Sequence, residues 1–378
     1  MKKIVTVLAS LVLSVFSVFA LDWGGLINDN TKFSTADFKS ETSYLEQSNA
    51  VFFWLKAPVN KNIRFTAEGM YKYVLTANSS YSNFLNVLDF DLLKLSGNFS
   101  LGKGKFSFDA GRFFVSDSTA SVFAQNSDGL LVKFLFPAVR ISAYAGYTGL
   151  LNSYTVSMID SSEKSENVEQ IYKLAHGYIP LEFRLELPVL FLNQSLGFDF
   201  NAFIDAESSK ASRYYGNLVL SGPFANSVYY TLSTSFGSEN FKNVMNYSSF
   251  QLYWFPVSNV MLVAGTEFAS GNNSFFSAFK GITYVTAYNS ISSPYISSVI
   301  LPQISMSGTF GKMWINAAAK YAIGLDENSG SQGLEFDLKY VYNIFTDLKV
   351  GCDVTAYIDL AETSESQYSV ALNAALAF

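Results

Sequence analysis

From Gln367 to the terminal Phe378 the chain alternates without a break. Tyr368, Val370, Leu372, Ala374, Leu376 and Phe378 hold one parity, and Gln367, Ser369, Ala371, Asn373, Ala375 and Ala377 hold the other. Successive strand side chains point to opposite faces, so this segment predicts a strand with one apolar face and one small or polar face. The pattern recurs along the chain. Ile63, Phe65, Ala67, Gly69, Tyr71 and Tyr73 oppose Arg64, Thr66, Glu68, Met70 and Lys72; Phe198, Phe200, Ala202 and Ile204 oppose Asp199, Asn201 and Asp205; Leu334, Phe336, Leu338, Tyr340 and Tyr342 oppose Glu335, Asp337 and Lys339. Counted this way the chain contains about 18 strands, or 16 if the first span is discounted or one hairpin is misread.

The connections alternate in length. Short turns are predicted near 58–61, 102–103, 137–138, 188–193, 222–225, 256–258, 310–312 and 344–346, and they hold Pro58, Pro137, Pro188, Pro223 and Pro256. A proline lacks the amide donor of a central strand and is harmless there. Long connections are predicted near 38–43, 77–85, 114–127, 149–177, 206–212, 237–245, 270–301, 324–332 and 360–366. A twelve-residue apolar–polar strand is long enough to cross a bilayer at a tilt, and short turns on one side with long loops on the other match a transmembrane barrel.

These features resemble bacterial outer-membrane β-barrels of the porin kind, whose closing strand characteristically ends in an aromatic residue, here Phe378. The resemblance implies an all-β fold: a closed antiparallel transmembrane barrel with short periplasmic turns and long extracellular loops. It also implies outer-membrane lipid as the surroundings and recognition of Phe378 by the barrel-assembly machinery. Monomer and homotrimer both stay open.

Targeting and composition fit that picture. Met1-Lys2-Lys3, an apolar run from Ile4 to Phe19 and then Ala20 form a basic, hydrophobic and small-residue series, which reads as a secretory signal peptide over 1–20 with the barrel over 21–378. Losing Lys2 and Lys3 moves the formal charge from −6 to −8, which excludes a basic nucleic-acid binder. Charged residues make up 15% and aromatic residues 16%, yet no apolar run after residue 20 is long enough for a spanning helix. A closed barrel then remains the way to satisfy every backbone group in lipid. Cys352 is the single cysteine, so no disulfide forms within the chain, and its parity places it among Leu348, Val350 and Val354 on the apolar wall.

Candidate functional residues are those of the polar parity: Arg64, Glu68, Lys72, Lys133, Arg140, Arg184, Asp199, Glu267, Lys320, Glu335 and Asp337, together with Glu182, Glu186, Lys312, Lys339 and Asp353. Charge facing lipid at mid-depth is costly, which assigns this parity to the lumen. The mixture of signs predicts a weak ion preference. Asp109-Ala110-Gly111-Arg112 is similar to a Gly-Arg element of substrate-specific porins, in which the arginine enters the channel. Here Arg112 follows the apolar parity of Phe106, Phe108 and Ala110; it either sits at the membrane rim or is turned inward by a bulge at Gly111.

A barrel of this size is too wide for its own side chains to fill. Residues 270–301, rich in aromatics (Phe275, Phe276, Phe279, Tyr284, Tyr288) and carrying one charge, Lys280, are expected to fold inward as a constriction. The 149–177 connection, with Ser161-Ser162-Glu163-Lys164-Ser165-Glu166, is expected to stay in water outside. The lone His176 lies in that connection with no predicted catalytic partner, and no metal, cofactor or enzymatic motif is expected. The reading is a diffusion channel for small hydrophilic solutes, with a fatty-acid or hydrophobic-compound uptake barrel and a surface adhesin as alternatives.

Overall fold

The computed structural model describes residues 21–159, 171–207, 212–283, 297–325, 333–361 and 365–378. The signal-peptide segment 1–20, the charged Ser161–Glu166 stretch, and Tyr284 and Tyr288 lie outside the described residues.

The chain forms eighteen antiparallel strands: β1 (Asp22–Ala36), β2 (Tyr44–Pro58), β3 (Ile63–Asn78), β4 (Ser82–Leu101), β5 (Gly104–Ser116), β6 (Ala124–Leu135), β7 (Arg140–Tyr147), β8 (Tyr178–Leu187), β9 (Ser195–Asp205), β10 (Arg213–Ala225), β11 (Val228–Glu239), β12 (Asn243–Val257), β13 (Val260–Ala269), β14 (Val299–Phe310), β15 (Met313–Gly324), β16 (Gly333–Asn343), β17 (Leu348–Asp359) and β18 (Gln367–Ala377). Each pairs with its neighbours in sequence, and β1 pairs with β18 to close the barrel. Closure leaves no free sheet edge around the ring. At the closing seam Gly25 and Phe378 exchange both backbone hydrogen bonds, at 2.9 and 3.0 Å. The Phe378 ring lies over Gly25, where a Cβ would come within 2.3 Å of it, so only glycine seats this ring.

The register follows the alternation. Phe198 and Phe200 are 45% and 48% exposed on the outer face, whereas Asp199 and Asn201 are 0% and 1% exposed and point inward. A slip of one residue would invert this.

Two of the nine connections on the loop side differ from expectation. Strands β3 and β4 continue to residues 78 and 82, and β11 and β12 to 239 and 243, so three-residue turns replace the long loops expected at 77–85 and 237–245. The first is held by the Asn78 side chain, which accepts from the amides of Ser80 and Tyr81 at 2.8 Å each. In the second, Asn240 and Phe241 adopt φ values of +51° and +57°. Polar side chains that pair with their own backbone close turns that hydrophobic periodicity does not reveal.

One stretch of wall is incomplete. Strands β4 and β5 pair only from Leu93 and Arg112 downward; above that level β4 stays with β3 and β5 with β6. A register shift opposite Glu68 and Gly69 marks a bulge at this height.

Candidate functional site: the barrel lumen

The inward parity does not line an open tube. On one side the lumen is filled by loops. Asp117 closes loop 117–123 upon itself: its Oδ1 accepts from the amides of Val122 (3.1 Å) and Phe123 (2.8 Å), and its Oδ2 from the amide of Thr119 (2.9 Å). The wall grips the loop as well. Asn217 on β10 donates to Asp117 at 3.1 Å, the Ser118 amide donates to Asp199 on β9 at 2.7 Å, and Arg184 on β8 donates to Ser116 O at 2.6 Å. Residues 270–283 join this loop. Ile282 and Thr283 donate their amides to Val122 O at 2.8 and 3.1 Å, while buried Arg213 on β10 donates to Gly281 O at 3.0 Å and to Glu239 at 2.9 Å. Tyr215 donates its hydroxyl to Lys280 O at 2.6 Å.

The side chains between these anchors make an apolar core inside the barrel: Phe113 and Val115 of β5, Val122 and Phe123, Tyr144, Phe203, Tyr215, Tyr247, Phe279 and Ile282. Leu151, Met158 and Ala175 of the β7–β8 connection are buried with them, and Ile159 donates to Ile282 O at 3.0 Å. The expectation that this connection stays in water is therefore corrected for part of its described ends: Leu151, Met158 and Ala175 are buried inside, while Leu150, Ile171, Tyr172 and Leu174 stay exposed. His176 does not meet a serine; its Nε2 lies 3.0 Å from Asp205 and its Nδ1 3.6 Å from Glu207, which ties the connection to the top of β9.

The other side is open. A cavity of about 770 Å³ is lined by β1 and β14–β18, with Lys32, Lys320, Lys339, Asp337 and Asp353 supplying charge and Asn30, Ser305, Asn316 and Thr355 polar groups. A second, of about 510 Å³, sits against β1–β3 and β16–β18 and carries Lys72 and Lys349. A third, of about 710 Å³, lies at the short-turn end beside Lys103, Lys105, Lys133, Arg140, Arg184 and Glu186.

The lining charges divide into paired and unpaired groups. Lys320 bridges Glu335 and Asp337 at 2.8 Å each, and Thr355 donates to Asp337 at 2.9 Å. Arg184 pairs with Glu182 at 2.8 Å and lies 3.5 Å from Asp199; Arg140 pairs with Glu186 at 2.9 Å and Lys94 with Asp109 at 3.3 Å. Glu267 accepts from Tyr247 at 3.2 Å and Gln303 at 3.1 Å. Lys32, Arg64, Lys72, Lys105, Lys133, Lys339 and Lys349 face inward with no ion pair among the described residues, against Glu46, Glu68, Asp117, Glu267 and Asp353, of which Asp117 and Glu267 are held by hydrogen bonds. At the loop end Lys39 holds the β1–β2 and β17–β18 connections together, and its hydrogen bonds to Glu365 and Asp37 raise its pKa above the ordinary lysine value.

Two expected lining residues sit elsewhere. Arg112 is in the wall rather than along the open passage. Gly111 takes φ +117° with Leu93 O so near that a Cβ would clash at 2.2 Å, and Arg112 keeps the outward register. Its guanidinium then fills the parting between β4 and β5, 3.0 Å from Asp89 and 2.9 Å from Asp128, donating also to Leu150 O. Lys312 belongs to the β14–β15 turn and donates to Ile344 O at 3.0 Å. Lys32, Lys349, Asp117 and Arg213 were not singled out from sequence. The first two share parity with neighbouring polar residues and were legible; the roles of Asp117 and Arg213 depend on contacts 68 to 100 residues away.

No family model and no curated protein matches the sequence. Solved structures match the fold over nearly the whole chain. Pseudomonas aeruginosa OccK7 (OpdD) superposes with a TM-score of 0.65 at 9% identity, covering 95% of this chain and 98% of that one. Acinetobacter baumannii OccAB4 gives 0.61 at 11% identity, covering 95% and 98%. Pseudomonas aeruginosa OpdK, solved with vanillate, gives 0.62 at 10% identity, covering 94% and 98%. The chain thus has the fold of a porin-like outer-membrane β-barrel, closed by eighteen antiparallel strands.

Proposed function

We propose that the protein is an outer-membrane channel through which small hydrophilic solutes diffuse along the open side of the lumen, past β14–β18 and β1–β3, and that the channel favours anions. The observation that carries this is the excess of unpaired lysines over unpaired carboxylates on that path, where Lys32, Lys72, Lys339 and Lys349 face the two upper cavities. Rings of one sign set ion preference in a water-filled pore. On this path Glu335 and Asp337 are engaged by Lys320, so the ammonium groups free to meet a passing solute outnumber the free carboxylates. Loops 117–123 and 270–283 are the constriction in this reading, and no catalytic step is assigned to any residue.

Planar-bilayer recording under a salt gradient tests it: the reversal potential should have the sign for anions. A cation preference, or no conductance from a folded barrel that carries bound lipid, would remove the proposal, the second result in favour of a hydrophobic-uptake barrel. The vanillate present in one structural neighbour makes an aromatic carboxylate a suitable test solute in liposome-swelling assays.

The same reading takes residues 1–20 as a secretion signal and Phe378 as the residue recognised during assembly. Deleting Phe378 should lower the yield of heat-modifiable protein; unchanged yield would leave its ring on Gly25 as a purely structural contact.

A further inference from the structure

The outward parity of the wall is apolar almost throughout. Around the barrel it presents Leu181 and Phe183, Phe198 and Phe200, Leu232 and Phe236, Phe336 and Leu338, Leu372 and Val370, all exposed. Among the described residues, charge on this parity occurs at Arg112 and Asp128, which pair with each other, and at one further place, Asp29 on β1. Asp29 shares its parity with exposed Trp23, Ile27 and Phe33. It has no cation partner; its carboxylate accepts from the Gln47 side chain at 2.7 Å, and Gln47 in turn accepts from the Thr31 hydroxyl. Asn49 lies directly across from Asp29 on β2, exposed, and its carboxamide makes no hydrogen bond among the described residues. Four polar groups therefore form one island, with Ile27, Val51 and Phe53 on one side and Phe33 and Leu45 on the other.

The island stands at mid-height of the apolar band. Trp23 and Phe53 lie together toward the short-turn end, with ring centroids 6.0 Å apart, and Phe38 stacks on Tyr368 at 4.2 Å at the loop end. The eleven residues from Trp23 to Phe33, on a strand tilted by about 40°, cover roughly the 25 Å apolar height of such a barrel, and Asp29 is near their middle. Acyl chains offer no hydrogen bond there, so a carboxylate with a single donor, Gln47, and a free carboxamide facing them are incompletely satisfied.

We infer that this island is the contact surface for a second copy of the chain, placed by a two-fold axis running along the membrane normal between β1 and β2. The inference rests on the outer-membrane reading above. The register supplies the argument. Asp29 pairs across with Asn49, and Thr31 with Gln47, on adjacent strands, and at this tilt the members of each pair differ in height by only roughly 3 Å. A vertical two-fold axis between these strands sets β1 of one copy against β2 of the other. Asp29 of each copy then faces the amide donors of the other's Asn49, and Thr31 faces Gln47, so acceptor meets donor twice. That self-complementarity is the requirement of an isologous interface. Lipid lacks the donors, and a three-fold arrangement would not reciprocate the pairs.

The test uses the full chain with Cys352→Ser, because Cys352 also faces outward. Asn49→Cys treated with a short bis-maleimide in membranes should give one band of twice the monomer mass, while Phe200→Cys, on β9 across the barrel, should stay monomeric. In mild detergent, light scattering should find the unmodified chain dimeric and Asp29→Leu/Asn49→Leu monomeric, with heat-modifiable migration kept as proof that the double variant folds. A monomeric parent chain, a double variant that stays dimeric, a three-rung ladder, or an Asn49→Cys adduct to a different protein each overturns the inference. Absence of the chain from the outer-membrane fraction, with loss of heat modifiability, would instead overturn the membrane reading and this inference with it.

Discussion

The two sides of the lumen are made of the same kind of strand and hold opposite contents. Along β5–β13 the inward parity carries Phe113, Tyr144, Phe203, Tyr215 and Tyr247, and loops from above pack upon them. Along β14–β18 and β1 it carries Asn30, Ser34, Ser305, Asn316, Ala318, Thr355 and Ser369, and the space stays open. Inward aromatics give a loop apolar surface to bury; small polar residues keep their water and give it nothing. In a wide barrel, then, the passage is chosen by the strands that fail to hold a loop.

Charge follows the same division. On the packed side Asp117, Asp199, Arg184 and Arg213 are spent on anchoring loops. On the open side, among the described residues, Lys320 is engaged with Glu335 and Asp337, while Lys32, Lys72, Lys339 and Lys349 face the cavities without an ion pair.

The contrast is broken most severely by releasing the loops. Asp117→Ala with Arg213→Ala removes the anchors of both, and hydrogen bonds to charged groups contribute about 1.5–3 kcal/mol each. Single-channel conductance should rise about twofold or more with increased flicker, and the heat-modified transition should fall to a lower temperature. Unchanged conductance would mean that the loops do not bound the passage.

Next in size, Lys32→Glu with Lys339→Glu should reverse the ion preference through the open side; each new carboxylate would stand directly across from Glu46 or Asp353, so each exchange should also cost about 0.2–1 kcal/mol of stability. The reversal potential reports it. The same exchange at Lys133, beside the third cavity, should move the preference less.

Accessibility sharpens the comparison further. With Cys352→Ser as background, Lys339→Cys should react quickly with a water-soluble maleimide. Asn201→Cys, though inward, should be protected beneath the loops, and should become reactive when Asp117→Ala is added. Equal labelling of both would show that the two sides are equally open.

The smallest effect is expected for Arg140→Ala. Its pair with Glu186 at 2.9 Å is half exposed, and such pairs contribute about 0–1 kcal/mol. Melting and conductance should both stay close to the parent.

Much of the fold was legible in the sequence. The alternation of Phe198–Asn201 or Leu334–Asp337 determines which side chains face out, because a strand has a period of two and a charge in lipid is costly. Counting such segments gives about eighteen strands, with 16 as the alternative, and the pairing of β1 with β18 fixes eighteen in a closed ring. The tight turns at 79–81 and 240–242 did not follow, since Asn78 and the left-handed Asn240 and Phe241 act through the backbone rather than through hydrophobicity. Arg112 was half legible: Gly111 marked an irregularity, but its partners Asp89 and Asp128 are set by where β4 and β5 part.

The strands, their two faces and the all-β class were readable along the chain, because these depend on neighbours one and two residues apart. Only the tertiary structure decided which acids neutralise which lysines, which half of the lumen the loops fill, and that Asp29 and Asn49 stand side by side on the outer wall. Those outcomes depend on strand register and on contacts between residues far apart in the chain, and no local period encodes them.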